Sequence, residues 1–407
     1  MQFLRYNRAK RFLFSIVAFL LLQIMVMYRS IKRPKSHGFS ILLLHFAGIG
    51  DTLMLTPAVA ALKDHFPDAR IDLAMCHNYV KDALDGHPLF GEKIPFDFYW
   101  EGYKSFFHLK SRREGVWKIL IYHPKLYLKL AFRGYDIAID CNLSEETRNI
   151  SGPLAFALGI PRRIGYGEDR LGFFTDTVPF EVSTKHRVDL YHASLEPLGI
   201  KKESTGGAYV FPLAEQEKSW AKEYLASRMA AGSFLFAMHP GGADLKVPRR
   251  WPADYFVKAG RWIVDEAGGT VLLTGDKSDA DVCNIVAAGL GKKCINACGQ
   301  VTLRQTAALL SRCDACLTND TGTLHLAAAV GVPDIYAIFG PTDPALLRPA
   351  GANVTVFAPD MACAPCAGSI IGKDTAACDT VPVGNCLNTI TAEMVIEVLA
   401  RRIPCRA

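Results

Sequence analysis

The hydrophobic and polar positions repeat one arrangement along most of the chain: a short apolar run, a polar loop, and a longer segment of helical composition. Short continuous apolar runs are typical of strands that are buried on both faces. Alternating strands and helices predict βαβ units, and hence parallel sheets with helices on their faces. The sequence therefore predicts an α/β protein, with a strand near residue 73 and others at 40–46, 135–141, 234–238, 270–274, 315–317 and 335–339.

The stretch 315–341 contains the clearest of these units. Its polar loop, Thr318–Thr323, follows a predicted strand and precedes a predicted helix, Leu324–Val330. Loops at the carboxyl ends of parallel strands bind ligands in open α/β sheets. Hydroxyl groups and free backbone N–H groups at a helix N-terminus would form an anion site there. The alternative is that Asp320 and Thr321 only cap the helix, which is the commoner use of such residues.

A second polar turn, Gly-Ile-Gly-Asp at 48–51, follows the first predicted strand and leads into an apolar, helix-like segment. A dinucleotide-binding fingerprint needs a third glycine where Leu53 stands, so an NAD-binding site is excluded. Asp51 is either a helix N-cap or a catalytic carboxylate. The two roles conflict, because backbone N–H donors make a carboxylate a weaker base. Pro57 either kinks the helix or marks its start.

Several motifs together carry a resemblance to a known family. Asn-Asp-Thr-Gly-Thr-Leu-His at 319–325, Gly-Val-Pro at 331–333 and Phe-Gly-Pro-Thr-Asp-Pro at 339–344 resemble the donor-site signature of glycosyltransferase family 9, the bacterial heptosyltransferases. The Gly-Asp turn and a later Trp-Pro motif follow in the family's order. The resemblance covers about residues 40–402, nearly all of the chain outside its amino-terminal segment.

The resemblance implies the GT-B architecture, in which two Rossmann-like doubly wound domains face each other across a cleft. It also implies an inverting glycosyltransferase that uses ADP-activated heptose. Such an enzyme needs no cofactor, since the ADP-sugar donor is a substrate. No metal site is implied, because no paired acidic motif stands at the matched positions. The implied acceptor is a lipid-linked or phosphorylated glycan, such as lipopolysaccharide core. Two alternatives stay open: an enzyme that uses another nucleotide sugar, and a scaffold that has lost the chemistry.

The resemblance further implies roles for individual residues. Asp51 would be the catalytic base. Arg249 stands where the family usually has a lysine that contacts the donor phosphate, and Lys246 is the alternative cation. Asp279 holds the place of an acid near the donor's nucleoside, with two other aspartates, Asp276 and Asp281, as competing candidates. The remaining donor-binding residues would come from the loop of the 315–341 stretch and the helix after it: Asp320, Thr321, Gly322, Thr323 and His325.

Length, charge and cysteine content limit the class of protein. The 407 residues fit two domains, and a net charge of +6 without a basic tail or a nucleic-acid motif gives no reason to expect a nucleic-acid partner. The twelve cysteines are scattered, mostly through apolar runs, which favours reduced thiols in the cytosol. The carboxyl-terminal cysteines fit no standard zinc spacing, so a structural metal, a disulfide and plain thiols all stay open for Cys363, Cys366, Cys378 and Cys386.

Two segments indicate that the protein associates with a membrane. Phe12–Tyr28 is a run of seventeen uncharged residues between basic flanks, which predicts a membrane anchor or an in-plane interfacial helix. The segment 103–135 is basic and aromatic, which suits either anionic head groups or an ordinary solvated helix pair. We therefore expect the enzyme at the cytoplasmic face of the inner membrane, anchored by residues 12–28.

The predicted domain order follows from these observations. An anchor at 1–37 precedes an amino-terminal, acceptor-side domain at 38–212. A carboxyl-terminal nucleotide-sugar-binding domain follows at 213–390. The final helix, at 391–407, would return to the first domain, as such helices often do in GT-B proteins.

Overall fold

The structure, a computed structural model, describes residues 38–96, 124–169, 171–181, 184–201, 207–230, 232–242, 249–366 and 385–403. The predicted anchor, residues 103–123 of the basic segment, Lys246 and Cys378 lie outside these ranges. The chain divides into two compact units. The first comprises Met1–Ala47, Val59–Phe180 and Tyr191–Lys202, and the second Gly48–Ala58, Glu181–Leu190 and Glu203–Ala407.

The first unit is built on a six-stranded parallel sheet with the strand order β3-β2-β1-β4-β5-β6. Its strands are β1 (Ser40–Leu44), β2 (Arg70–Met75), β3 (Lys93–Pro95), β4 (Ile137–Asp140), β5 (Arg162–Tyr166) and β6 (Asp176–Val178). The helices of this half of the chain are α1 (Ile49–His65), α2 (Asn78–Ala83), α3 (Pro124–Arg133), α4 (Glu145–Ala157) and α5 (Arg187–Ala193), with a 3₁₀ turn at Glu196–Leu198.

The second unit contains another six-stranded parallel sheet, with the order β12-β11-β10-β7-β8-β9. Its strands are β7 (Leu235–His239), β8 (Thr270–Leu273), β9 (Cys294–Asn296), β10 (Ala315–Asn319), β11 (Asp334–Ile338) and β12 (Val354–Phe357). Its helices are α6 (Glu215–Ala226), α7 (Ala253–Asp265), α8 (Ala280–Leu290), α9 (Leu303–Leu310), α10 (Gly322–Ala329), α11 (Pro344–Leu347), α12 (Asn385–Asn388) and α13 (Ala392–Arg402), with 3₁₀ turns at Lys277–Asp279 and Gly291–Lys293.

Both sheets have the doubly wound order 3-2-1-4-5-6 when the strands of each are counted from its first. In this order the chain reverses direction across the sheet between the first and fourth strands, which are β1 and β4 in one unit and β7 and β10 in the other. Open α/β sheets bind their ligands at the carboxyl ends of those two strands. The prediction of two Rossmann-like doubly wound domains is confirmed.

The long apolar runs form the centres of the sheets, since β1, β4, β7, β8 and β10 are buried along their whole lengths. Helix α1 begins at Ile49 and continues through Pro57, so Pro57 does not mark the start of the helix. Proline has no N–H to give to the carbonyl four residues earlier, that of Leu53. The hydroxyl of Thr56 donates to that carbonyl at 2.7 Å instead.

The final helix, α13, packs in the core of the second unit. Its apolar side joins the core cluster that also contains Phe256 and Ile263 of α7. The indole N–H of Trp251 donates to the carbonyl of Ile390 at 2.7 Å, just before the helix begins. The carboxyl-terminal segment thereby supports the loop that precedes α7. Among the described residues, no helix is long and apolar enough to cross a membrane.

Helix α3 is the described part of the basic segment 103–135, and two of its cations are paired with acids. The guanidinium of Arg133 bonds the fully buried carboxylate of Asp72 at 2.9 Å and also contacts Glu92. Lys129 pairs with Glu92 as well. The hydroxyl of Tyr135 donates to Asp72 at 2.8 Å. These contacts attach the carboxyl-terminal end of α3 to β2, so Arg133 has a structural role.

We predict that Arg133→Ala lowers the free energy of unfolding by about 2 kcal/mol, because it leaves a buried carboxylate without one of its cations. Lys129→Ala is the matched control, since the Lys129 side chain is 51% exposed and such pairs contribute about 1 kcal/mol or less. Thermal unfolding of both variants measures the difference. Equal losses of stability in the two variants would contradict a structural role that is specific to Arg133.

Candidate functional site

The side chain of Asn319, the last residue of β10, bonds both ends of the loop between β7 and α7 at the carboxyl end of the second sheet. Its amide nitrogen donates to the carbonyls of Pro240 and Gly241, at 3.1 and 2.8 Å, in the loop that follows β7. Its amide oxygen accepts the backbone N–H of Trp251 at 3.0 Å. Asn319 is fully buried. This arrangement fixes the position of Arg249, two residues before Trp251, beside the end of β10.

Arg249 and Asp320 form a buried ion pair. The guanidinium Nη2 lies 3.4 Å from the Asp320 carboxylate, and Nη1 donates to the Asp320 carbonyl at 3.3 Å. Their side chains are only 10% and 6% exposed. The hydroxyl of Thr342 donates to the same carboxylate at 2.5 Å. Burial lowers the pKa of Arg249, and the neighbouring carboxylates Asp320 and Asp51 oppose that effect, so the guanidinium stays charged at neutral pH.

The N-terminus of α10 presents polar groups that are not used within the described part of the protein. Thr321 is the N-cap residue, yet its side chain makes no capping hydrogen bond. The Thr321 hydroxyl and the Nη2 of Arg249 are buried, and neither makes a hydrogen bond to the described residues, although Nη2 faces the Asp320 carboxylate at 3.4 Å. Asp320 is engaged with Arg249 and Thr342. The simple capping alternative is therefore not realised, and the arrangement has the character of an anion site.

Asp51 belongs to the same unit as this loop, because Gly48–Ala58 groups with the second unit. Two glycines permit the close approach. A Cβ on Gly322 would lie 2.7 Å from the Cγ2 of Ile49, and a Cβ on Gly50 would lie 2.9 Å from the imidazole Cδ2 of His325. Real Cβ contacts are longer than this, so only glycine fits at either position without a shift. The backbone before Asp51 thus packs directly on the first turns of α10.

Asp51 is the third residue of α1, so it is not the N-cap residue. Its carboxylate forms an ion pair with the guanidinium of Arg187, the first residue of α5. The Arg187 side chain is 12% exposed and that of Asp51 25% exposed. The sequence reasoning did not predict a role for Arg187, because no spacing rule connects it to a residue 136 positions earlier. The only available signal was its place in the His-Arg-Val-Asp motif at 186–189.

His325 lies in the second turn of α10 and is buried, with 4% of its surface exposed. Burial lowers the pKa of its imidazole to about 4, against the opposing effects of Asp320 and Asp51. The ring is therefore neutral at pH 7. Its Nδ1 lies 3.5 Å from the hydroxyl of Tyr209. His325 fills the space under Gly50 as an uncharged polar group.

Asp279 lies in the 3₁₀ turn after β8, apart from the ion pair of Asp51. Its carboxylate accepts the backbone N–H groups of Gly242 and Asp276, at 3.1 and 3.2 Å, and pairs with Arg250 at 3.2 Å. It is 5% exposed. These bonds connect the β7 and β8 loops. Thr323 is partly exposed in the first turn of α10, and Lys246 lies outside the described ranges.

Most of the site residues fall within a range that matches a known protein family. The profile of glycosyltransferase family 9 (heptosyltransferase) matches residues 125–371, more than half of the chain. The chain belongs to glycosyltransferase family 9. The matched range contains Arg187, Arg249, Asp279 and the α10 loop, whereas Asp51 precedes it.

Relatives of this family 9 enzyme match over most of its length. The chain is 27% identical over 320 residues to lipopolysaccharide heptosyltransferase 2 of Escherichia coli K12, which covers 76% of this chain and 85% of the relative. A solved family 9 glycosyltransferase from Veillonella parvula superposes with a TM-score of 0.72 at 23% identity, covering 88% of this chain and 95% of the other. The solved E. coli ADP-heptose LPS heptosyltransferase II gives a TM-score of 0.65 at 23% identity, with 89% and 98% covered. These similarities confirm the GT-B fold.

The cysteines of the family 9 enzyme bear on the open question of a metal. Of the carboxyl-terminal four, Cys363 carries a free thiol. Within the described ranges, no group of three or more histidine, cysteine, aspartate or glutamate side chains is placed to hold a metal ion. Cys378 lies outside those ranges, so a site that includes it stays untested.

We predict that Gly322→Ala destabilises the enzyme by about 1 to 3 kcal/mol, although alanine normally favours a helix. The reason is the contact of 2.7 Å between the new methyl group and the Cγ2 of Ile49. Leucine has no methyl group at that position, so Gly322→Ala combined with Ile49→Leu should recover much of the lost stability. Gly38→Ala is the control, because nothing lies within 4 Å of a Cβ there. Thermal unfolding of the unmodified enzyme and of these three variants measures the differences in stability. A double variant that is no more stable than Gly322→Ala would contradict the contact.

Proposed function

We propose that this glycosyltransferase moves a heptose from ADP-heptose onto a lipopolysaccharide-core or related cell-surface glycan, with inversion at the anomeric carbon. The observation that carries the proposal is a pair of buried donors at the N-terminus of α10 that make no hydrogen bond to the described residues. They are the hydroxyl of Thr321 and the Nη2 of Arg249, which is ion-paired with Asp320 but not hydrogen-bonded to it. A diphosphate supplies the acceptor oxygens and the negative charge that such donors require. The names of the E. coli relatives, a lipopolysaccharide heptosyltransferase and an ADP-heptose LPS heptosyltransferase, support this donor and acceptor.

The donor's diphosphate would lie against the first turn of α10. Backbone N–H groups at Gly322 and Thr323 point out of the helix there, and the helix dipole favours negative charge. Arg249 would contact the phosphates in place of the usual lysine, with the geometry of a planar fork. Asp279 would lie near the nucleoside. Its carboxylate already accepts two backbone N–H groups, so in this role it would support the shape of the pocket as well as offer an oxygen to the ribose.

Asp51 would act as the general base. It takes the proton from the acceptor hydroxyl while that oxygen forms a bond to the anomeric carbon of the heptose. The bond from this carbon to the diphosphate oxygen breaks at the same time, and its electron pair leaves with ADP. Arg249 and the α10 N–H groups stabilise the charge that develops on the departing diphosphate. A single displacement of this kind inverts the configuration.

Two variants separate the binding of the donor from the chemistry. Arg249→Ala should weaken ADP binding by about 10-fold or more, whereas Arg249→Lys should retain much of the affinity because it keeps the charge. Asp51→Asn should bind ADP nearly normally but lower turnover by about 100-fold or more, the usual scale for a lost general base. Calorimetric titration with ADP and an assay of product formation measure the two effects.

The same titration with ADP-, UDP- and GDP-sugars tests the donor directly. Tighter binding of a UDP- or GDP-sugar would assign the enzyme to another glycan. Near-normal turnover in Asp51→Asn would return Asp51 to a structural role. Binding of ADP-heptose without turnover on any glycan acceptor would favour the inactive scaffold.

We further propose that the enzyme works at the cytoplasmic face of the inner membrane. The uncharged run Phe12–Tyr28 and its basic flanks support an anchor or an in-plane helix. In the first unit, the exposed side chains include three large apolar ones. Phe39 is 38% exposed, Leu128 39% and Phe132 58%. Phe39 and Phe132 line one groove together with Arg70 and Lys129, a combination that suits lipid head groups.

Fractionation should separate the two membrane elements. The full-length protein should stay with membranes in high salt and be released by detergent. A truncated form that starts near Lys35 should bind anionic vesicles at low salt and leave them at high salt, because salt screens the attraction of basic residues. Adding Leu128→Ser and Phe132→Ser to this form should weaken its binding to vesicles. A truncated form that ignores vesicles at every salt concentration would contradict a role for this surface.

A further inference from the structure

The ion pair between Arg187 and Asp51 has a consequence for the reaction. We propose that Arg187 is the positioning residue of the catalytic base, which keeps the Asp51 carboxylate oriented and ionised while the donor diphosphate is bound. The inference rests on the function proposed above. Arg187 need not touch either substrate to act in this way.

The side chains of Arg187 and Asp51 are in contact and partly buried. Asp51 lies in the first turn of α1 and Arg187 is the first residue of α5, and both belong to the second unit. Their side chains are 25% and 12% exposed. An ion pair that is partly removed from water interacts more strongly than one on the surface. Arg187 can therefore hold the Asp51 side chain in one orientation.

The charges around Asp51 explain why this carboxylate needs a cation of its own. Arg249 is paired with Asp320, so these two side chains nearly cancel each other. The donor would then add a diphosphate close to Asp51. Negative neighbours favour the protonated form of a carboxyl group, and a protonated carboxyl cannot accept the acceptor's proton. The guanidinium of Arg187, in contact with Asp51, offsets that effect.

Two other ionisable groups described near Asp51, His325 and Tyr209, are neutral and do not supply this charge. The imidazole of His325 is neutral at pH 7, since burial lowers its pKa to about 4. Burial also raises the pKa of Tyr209, so its hydroxyl stays neutral. His186 bonds the carbonyl of Arg348 at 2.8 Å. Arg249 and Asp320, which also act on this region, are paired with each other.

The test is the pH dependence of kcat with both substrates saturating, because kcat reports the ionisation of the substrate-bound enzyme. Arg187→Gln should move the acid limb of the profile to higher pH by about one unit or more, the size of shift that an adjacent arginine produces. Above the shifted limb, kcat should recover towards that of the unmodified enzyme. Arg187→Lys keeps the charge and should leave the limb near its original position.

Arg304→Gln is the matched structural control. Arg304 pairs with Glu217 in the same unit, and the two side chains are 18% and 21% exposed, close to the values for Arg187 and Asp51. This control should lower thermal stability without moving the acid limb. Arg187→Met, which keeps the apolar stem and removes the charge, replaces Arg187→Gln in the assay if that variant does not fold.

An acid limb that does not move in Arg187→Gln or Arg187→Met would overturn the inference, whatever happens to stability. A shift of equal size in Arg304→Gln would overturn it as well, because the shift would then follow from lost stability. Asp51→Asn distinguishes this failure from a failure of the proposed function. If Asp51→Asn keeps near-normal turnover, Asp51 is not the base. If Asp51→Asn is inactive and the acid limb does not move in the Arg187 variants, only the role of Arg187 is refuted.

Discussion

The hydrogen bonds of the Asn319 side chain are the constraint on which the site depends. One buried amide bonds the loop after β7 and the backbone N–H of Trp251, and it does so from the last residue of β10. An unsatisfied buried amide is costly, so the loop between β7 and α7 has one favourable arrangement beside the end of β10. The first unit uses a similar device after β4. There the Asn142 amide donates to the Leu44 carbonyl and accepts the N–H of Phe46, at 2.9 and 2.7 Å.

The site itself is a balanced set of charges held close together by small residues. Glycine at positions 50 and 322 allows the start of α1 to pack on the start of α10. Two carboxylates, Asp51 and Asp320, are each paired with an arginine. This balance lets an anion approach without meeting uncompensated negative charge, and it leaves donors on Arg249 and Thr321 for that anion. Together with the family 9 assignment, these features support a diphosphate as the ligand.

The cations of the basic segment show that charge in a sequence does not by itself identify a binding surface. Arg133 belongs to a buried ion-pair network with Asp72, whereas Phe132, its neighbour in sequence, is exposed. Consecutive residues of a helix point about 100° apart around its axis, so one side chain can be buried while the next is exposed. A membrane role for α3 therefore depends on the apolar side chains Leu128 and Phe132 more than on the number of basic residues.

The sequence by itself determined the α/β class, the central strands and the family motif at the start of α10, because buried strands are continuous apolar runs and the motif is contiguous. It did not reveal edge strands such as β3, β6 and β9, which are three residues long and carry few apolar side chains. It also left open whether Asp51 and Thr321 were caps, since both have the composition of helix N-termini. Only the tertiary structure decided those points and brought Arg187 to Asp51, because an ion pair between distant segments is set by how the backbone folds.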